Sequence, residues 1–374
     1  MVRIIMVCAL VGAVLFTVPA SYAQQFRSQD YALNVVTVTK GLSYPWGIAF
    51  LPNGSMIVTE REGRVRIIAS DGSMSPPLKG VPKVVSGGQG GMLDVVLDPD
   101  FQENSFIYLS YAEPGEGGSG TAVARGKLDL GDNQISQLKV LFRQFPKTSG
   151  GRHYGSRLIF ARDGKLFITV GERGEADRAQ DFTINRGQVI RINSDGSIPD
   201  KNPFVGRSGY RPEVWSYGHR NPQGAALHPI TGELWSVEHG ARGGDEINIP
   251  KAGKNYGWPV IGYGQHYVGG KIGEGTHKPG MEQPVYYWDP SIAPSGMVFY
   301  TGDKFPKWKG NLLVGALKFQ LVSRLVLDGE KVVHEERILS ELGERIRDVR
   351  QGSDGFIYLL TDSDDGRILR IEPR

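Results

Sequence analysis

One pattern returns six times along the chain, and it constrains the fold more than any single residue does. An apolar strand runs into an Asp/Asn-Gly or proline-containing turn and comes back as a strand rich in aromatic and β-branched residues. The copies are WGIAFLPNGSMIVTE from Trp46, GMLDVVLDPDFQENSFIYLSY from Gly91, GSRLIFARDGKLFITVGE from Gly155, QGAALHPITGELWSVEHG from Gln223, SGMVFYTGDKFPKWKGNLLVGAL from Ser295 and IRDVRQGSDGFIYLLTD from Ile346. Each reads as a β-hairpin whose turn chemistry reverses a chain tightly. Successive starts lie 45, 64, 68, 72 and 51 residues apart, and the shortest interval matches a bare propeller blade. The expectation is an all-β chain, a six-bladed β-propeller of four-stranded antiparallel blades, with extra loops filling the longer intervals. NVVTVTKGL, ahead of the first copy, is expected to supply the strand that joins the two chain ends in one blade. Strand counting alone also fits a β-sandwich or two β domains. Six near-regular hairpins without a proline-rich or charged linker weigh towards a single domain over residues 24–374.

Glycine, at 51 of 374 residues, is roughly twice its average usage and has no low-complexity tract to hold it, which implies many turns. The first residues stand apart: Arg3, the apolar run Ile4 to Val18 and the small-residue pattern Ser21-Tyr22-Ala23 read as a secretory signal peptide, residues 1–23. Cleavage there removes Cys8, the single cysteine, so the mature chain has neither disulfides nor thiolate chemistry and must rely on a large core. A periplasmic or secreted address follows as an expectation. No second apolar run is long enough to span a membrane. The net charge of +3, with no basic block, argues against a nucleic-acid partner.

A propeller does not name a function, but it directs attention to the loops around its axis. Four glycine-rich stretches with polar side chains adjoin the hairpins at equivalent places: SGGQGGMLD around Gln89, GGRHYGSRL around His153, SYGHRNPQG around Arg220 and Asn221, and EHGARGGDEINIPKAGKNYGWP around Gly240. His153 is the residue type whose ordinary pKa suits a general base near neutrality, and Arg152 beside it would favour the neutral imidazole. Taken alone it also reads as a surface-loop histidine. Arg220 with Asn221 reads as a guanidinium clamp on an oxygen-rich ligand, or as a structural arginine tying loop carbonyls. Gln89 reads as a donor to a ligand carbonyl or as a solvated turn amide. The EHGARGGDEIN stretch offers backbone carbonyls with Glu238, Asp245 and Glu246, hard oxygen donors that suit Ca²⁺. GEGGSG at 115–120 matches a dinucleotide fingerprint without the helix it needs, and DSDDG at 362–366 reads as a plain turn. The aromatic run VYYWDPS at 285–291 reads as half core and half pocket wall.

Taken in order, WGIAFLPNG, GGQGGMLDVVLDPDF, the H-x-G-x-R-L of His153, YGHRNPQG, EHG-x-RGGDEIN, KNYGWP and ERIRDVRQGSDG resemble the soluble PQQ-dependent aldose sugar dehydrogenases of the glucose/sorbosone dehydrogenase family. The likeness runs over nearly the whole mature chain and implies a six-bladed propeller holding pyrroloquinoline quinone (PQQ) on its axis. It implies that His153 takes the proton from the anomeric C1 hydroxyl as hydride passes to PQQ, and that Arg220 stabilises negative charge on the quinone oxygens. By the same resemblance Asn221 and Gln89 contact the quinone, and Lys318, Arg345 and Arg347 bind the cofactor carboxylates. Gly240 and Ala241 match the carbonyls that hold the Ca²⁺ bridging cofactor and protein, while Glu238 and Tyr256 are similar to ligands of a further structural calcium.

The departures concern the pocket. Arg152 stands where a small or acidic residue is usual, Ser156 replaces a glycine, Ala241 replaces a proline, and Arg173 occupies a place that often carries an amide. They bear on substrate choice and turnover more than on cofactor binding. The implied activity is oxidation of aldose sugars to lactones with an external electron acceptor. A calcium-dependent propeller lactonase and a non-catalytic sugar- or protein-binding propeller are the competing readings.

Overall fold

The computed structural model describes residues 23–374, so the expected leader, residues 1–23, lies outside the described residues but for Ala23. Six antiparallel sheets follow one another along the chain, one for each repeated hairpin. The first, Pro45–Phe50 with Met56–Glu60 and Arg64–Ile68, has three strands, and the next four have four each. The last pairs Ile346–Gln351, Ile357–Thr361 and Gly366–Pro373 with Ala32–Leu42 and Gln24–Arg27 from the other end of the chain. Val35 opposite Ile371 and Val36 opposite Arg370 fix that register. The segment NVVTVTKGL therefore closes the ring as its position before the first repeat implied.

Stacking the sheets face to face buries the second strand of a blade on both sides, which is why these strands are continuous apolar runs rather than alternating ones. Leu166–Val170, Leu312–Ala316 and Ile357–Thr361 are buried at every residue. The core accordingly lies between blades. One cluster joins Ile57 and Val65 to Val95 and Ile107; others join Tyr108 to Ile168, Phe167 to Ala225, Val237 to Val314, Leu313 to Val349, and Leu360 back to Met56. Six such contacts return to the starting blade, so the ring is closed by packing as well as by hydrogen bonding. No helix among the described residues is long and apolar enough to cross a membrane.

The innermost strands begin at the face that carries the glycine-rich loops. Five of them start with a register shift: Pro45/Ile48, Met92/Val95, Pro222/Gly224, Pro294/Met297 and Ile346/Asp348. A bulge re-aims the side chains around it. One consequence lies just inside the ring, where Arg157 Nη1 donates to Asp94 Oδ1 at 2.9 Å and to Asp348 Oδ2 at 3.2 Å. Arg350 donates to the same two carboxylates, at 3.0 and 2.9 Å. Two cations and two carboxylates from three blades thus cancel one another on the axis.

Candidate active site

Above this ion lock is a cavity of about 270 Å³. Its wall includes Trp46, Gln89, Gln223, Arg345, Arg347 and His239. The wall carries three cations, Arg61, Arg345 and Arg347, against one carboxylate, Asp362. Arg345 Nη2 and Arg347 Nη2 donate to Asp362 at 2.9 and 3.3 Å. Burial, reinforced by Arg345 and Arg61 and only partly opposed by Asp362, pulls the Arg347 guanidinium below its ordinary pKa. Its Nε is buried without a hydrogen-bond partner, as are Arg220 Nε and Asn221 Nδ2. Buried polar atoms are rarely left unpaired in folded proteins; of these three residues Arg347 lines this cavity, Arg220 lines a smaller pocket beside it, and Asn221 lines neither.

His153 stands at the edge of this cavity between Arg152 and the wall residues Tyr154 and Gly155. Its backbone adopts the left-handed conformation, φ 56°, and its N–H donates to Gln89 Oε1 at 2.8 Å. Imidazole Nδ1 lies 2.8 Å from Glu172 Oε2, an oxygen that also accepts the Gly174 N–H. A carboxylate acceptor places the imidazole proton on Nδ1 and leaves the Nε2 lone pair free, as a general base requires. The pKa of His153 is lowered, chiefly by burial and then by Arg220 and Arg152, against the opposing pull of Glu172. Burial, more than the neighbouring Arg152 expected from the sequence, is thus what keeps the ring neutral.

Arg220 and Asn221 follow a strand end, Val214–Tyr217, and open the next blade. The Arg220 backbone N–H donates to Glu238 Oε2 at 2.6 Å, its Nη1 donates to the His239 carbonyl at 3.2 Å, and its guanidinium lies over Trp258 at 5.1 Å. Asn221 Oδ1 accepts the Gly155 N–H at 3.1 Å, which ties the base loop to the next blade. Lys318 is placed differently: it is exposed, stacks its Nζ on Phe319 at 5.4 Å, and follows Leu317 of the wall without lining the cavity itself.

His239 connects this cavity to a much smaller one of about 20 Å³, room for one water or ion. Glu238, Gly240, Ala241 and Tyr256, the four residues expected to hold metal, all line it, together with Arg220 and Glu246. Asp245 holds the loop in shape by accepting the N–H groups of Gly240 and Ala293 at 2.8 and 2.9 Å. Glu238 has both oxygens engaged, by His219, Asn248 and Arg220. The Tyr256 hydroxyl donates to the Ile249 carbonyl and accepts the Lys251 N–H, so it is turned away from the pocket. Glu246 is the freer carboxylate; burial and the nearby charge of Glu238 push its pKa up to about 8. Among the described residues no three His, Cys, Asp or Glu side chains converge as a metal site, so a cation here would depend on main-chain carbonyls.

Three features were not read from the sequence. Glu172 lies 19 residues from the histidine it orients. Asp362 belongs to the DSDDG turn, which is not a plain turn, because this residue pairs two arginines on the cavity wall. Arg61 follows the first hairpin and gave no signal beyond its charge. The GEGGSG stretch forms a hairpin between Phe106–Gly115 and Gly118–Asp129, with no helix after it. In VYYWDPS, Trp288 is core and Tyr287 is exposed against Tyr263, away from the axial cavity.

The profile of the glucose/sorbosone dehydrogenase family matches residues 42–370. The chain belongs to this family. Aldose sugar dehydrogenase YliI of Escherichia coli (strain K12) is 49% identical over 346 residues, covering 91% of this chain and 93% of its own. The solved structure of the soluble aldose sugar dehydrogenase from Escherichia coli in its apo-form superposes with a TM-score of 0.89 at 49% identity, over 91% of this chain and all of that one. The PQQ-bound form of the aldose sugar dehydrogenase from Streptomyces coelicolor gives 0.77 at 28% identity, over 95% of this chain and all of that one. A sugar dehydrogenase with an aldose substrate is what these family relationships support.

Proposed function

We propose that the chain oxidises the C1 hydroxyl of aldose sugars to lactones with PQQ in the axial cavity. The observation that carries this reading is the surplus of cations around a cavity of about 270 Å³, one of them, Arg347, with its buried Nε unpaired, beside a histidine whose Nδ1 is committed to a carboxylate. Gln89, Arg220, Asn221, Arg345 and Arg347 would hold the cofactor, and Lys318 would join them only by turning its ammonium from Phe319 towards the cavity. When bound, PQQ supplies a two-electron acceptor for hydride leaving C1.

The protein's own contribution is proton and charge management. His153 Nε2 takes the C1 hydroxyl proton, and Glu172 stabilises the imidazolium that results. Arg220, whose Nε lacks a protein partner, offers positive charge where negative charge develops. Gly240 and Ala241 would present carbonyls to Ca²⁺, with Glu246 the nearest freer carboxylate and Glu238 and Tyr256 shaping the pocket; oxygen donors of this kind suit that ion. The axial carboxylates Asp94 and Asp348 are consumed by Arg157 and Arg350, which weighs against a lactonase built on an acidic axial metal site. The leader-like N-terminus supports a periplasmic or secreted enzyme that passes electrons to an external acceptor.

The test is dye reduction by purified apo-protein with glucose, other aldoses and maltose, before and after PQQ and Ca²⁺ are added. Activity that needs both is expected. No activity, with an unchanged PQQ absorption spectrum on mixing, would sink the proposal.

A further inference from the structure

Arg173 is a buried cation that makes no ion pair among the described residues, and it is only 2% exposed. Its Nη1 donates to the Arg152 carbonyl and its Nη2 to the Gly150 carbonyl, so the two arms grip the backbone on either side of Gly151. Nη2 also lies 3.4 Å from Ser119 Oγ, and the guanidinium packs over the Tyr154 ring at 3.4 Å. That ring is itself fixed, its hydroxyl 2.7 Å from Ser119 Oγ and its backbone carbonyl accepting Thr121 Oγ1 at 2.6 Å. The Arg173 main-chain N–H points to the His153 carbonyl at 3.3 Å. Glu172 therefore holds the imidazole while Arg173, the next residue, holds the backbone that carries it.

Burying a cation without a counter-charge is unfavourable, and an apolar side chain of equal volume would fill the space without that penalty. What methionine lacks is the planar fork that can hold two carbonyls at once. The segment so held has something to resist, because His153 sits in the left-handed region, where a non-glycine backbone is strained. We propose that Arg173 is the positioning residue of the base: by clamping the Gly150 and Arg152 carbonyls it fixes the backbone from which His153 presents its ring, and so governs turnover rather than sugar or cofactor affinity. This rests on the reading of His153 as the base. The charged and titratable groups around the ring are Glu172, Arg220, Arg152, Tyr154 and His239.

The first test needs no variant. In the wild-type apo-protein, the Arg173 Nη protons are expected as separate, slowly rotating NMR resonances, as a guanidinium held on two carbonyls demands; one averaged signal would overturn the clamp. Next, the His153 imidazole, assigned with H153Q, is titrated by ¹⁵N NMR in the wild type, Arg173→Met and Arg173→Lys. The wild-type ring should hold its proton on Nδ1 and titrate below the ordinary histidine value. In Arg173→Met the Nδ1–H signature should weaken and the titration move up towards that value. With PQQ and Ca²⁺, kcat should fall roughly 10–100-fold in this variant, while the sugar KM and the PQQ Kd stay within about threefold. Arg173→Lys, which keeps the charge but not the fork, should recover only a minor part of the loss. Wild-type tautomer, titration and kcat in the Met variant, or full recovery by lysine, would overturn the proposal. Absence of sugar oxidation in the wild type would defeat the base assignment, while the imidazole spectra still decide whether Arg173 sets the ring's position.

Discussion

Two groups of charges lie one above the other on the propeller axis, and they are built on opposite plans. In the lower one Arg157 and Arg350 meet Asp94 and Asp348, charges cancel, and three of the four side chains are at most 1% exposed. In the upper one Arg61, Arg345 and Arg347 line the cavity with a single carboxylate, Asp362, which pairs the last two. The pKa directions follow the plans. Against the lowering effect of burial, Asp348 and Asp94 raise the pKa of Arg350, whereas burial with too little counter-charge lowers that of Arg347. The difference is one of charge balance: the lower network joins three blades with its charges matched, and the upper one keeps an excess of positive charge, which is what the proposed cofactor carboxylates would meet.

The strongest way to sharpen this contrast is His153→Ala, which should cut kcat roughly 10²–10⁴-fold while leaving stability and PQQ binding nearly unchanged. Steady-state kinetics beside a urea melt would check it, and retained turnover would remove the base. Next comes Arg157→Met, which strands two buried carboxylates on one remaining arginine and should cost about 3–5 kcal/mol of unfolding free energy. A loss under about 1 kcal/mol would show that the lower network is not what holds the ring.

Arg347→Met should do the reverse. PQQ affinity, followed by fluorescence titration, should weaken roughly 10–100-fold, as expected for loss of a hydrogen bond to a charged group, with stability unchanged or slightly raised. Equal losses of stability in the two arginine variants would abolish the distinction between the networks.

The pH profile tests the base within the upper region. Because burial, Arg220 and Arg152 lower the His153 pKa, the ring stays neutral at pH 7 and activity should fall only as pH drops below the ordinary histidine value of about 6.5. Arg152→Gln removes one lowering influence, so the acid limb should move to slightly higher pH; a downward move would reverse the assigned sign. The smallest effect concerns salt. PQQ association with the cationic cavity should slow modestly as ionic strength rises, while the buried lower network should not respond.

Much of this was legible in the chain itself because its signals are local. Turn chemistry recurring six times specifies hairpins, and continuous apolar runs such as LFITV and IYLLT specify strands buried on both faces. The glycine-flanked loops around His153, Arg220 and Gly240 announce themselves in the same way. Glu172 did not, since a carboxylate after a strand has many uses until the ring brings it within 2.8 Å of an imidazole. Asp362 looked like turn filler for the same reason. Lys318 shows the converse: its charge is plain in the sequence, yet where its ammonium points depends on how the loop after Leu317 leaves the wall.

The sequence by itself determined the hairpins, their number and the loops that carry the candidate site residues, because turn residues and apolar patterning act over a few residues. Tertiary structure alone decided which charges cancel and which are left over. Asp94, Arg157 and Asp348 lie on three different blades, and only closure of the ring, with register shifts re-aiming the starts of the inner strands, brings them within hydrogen-bonding distance on the axis.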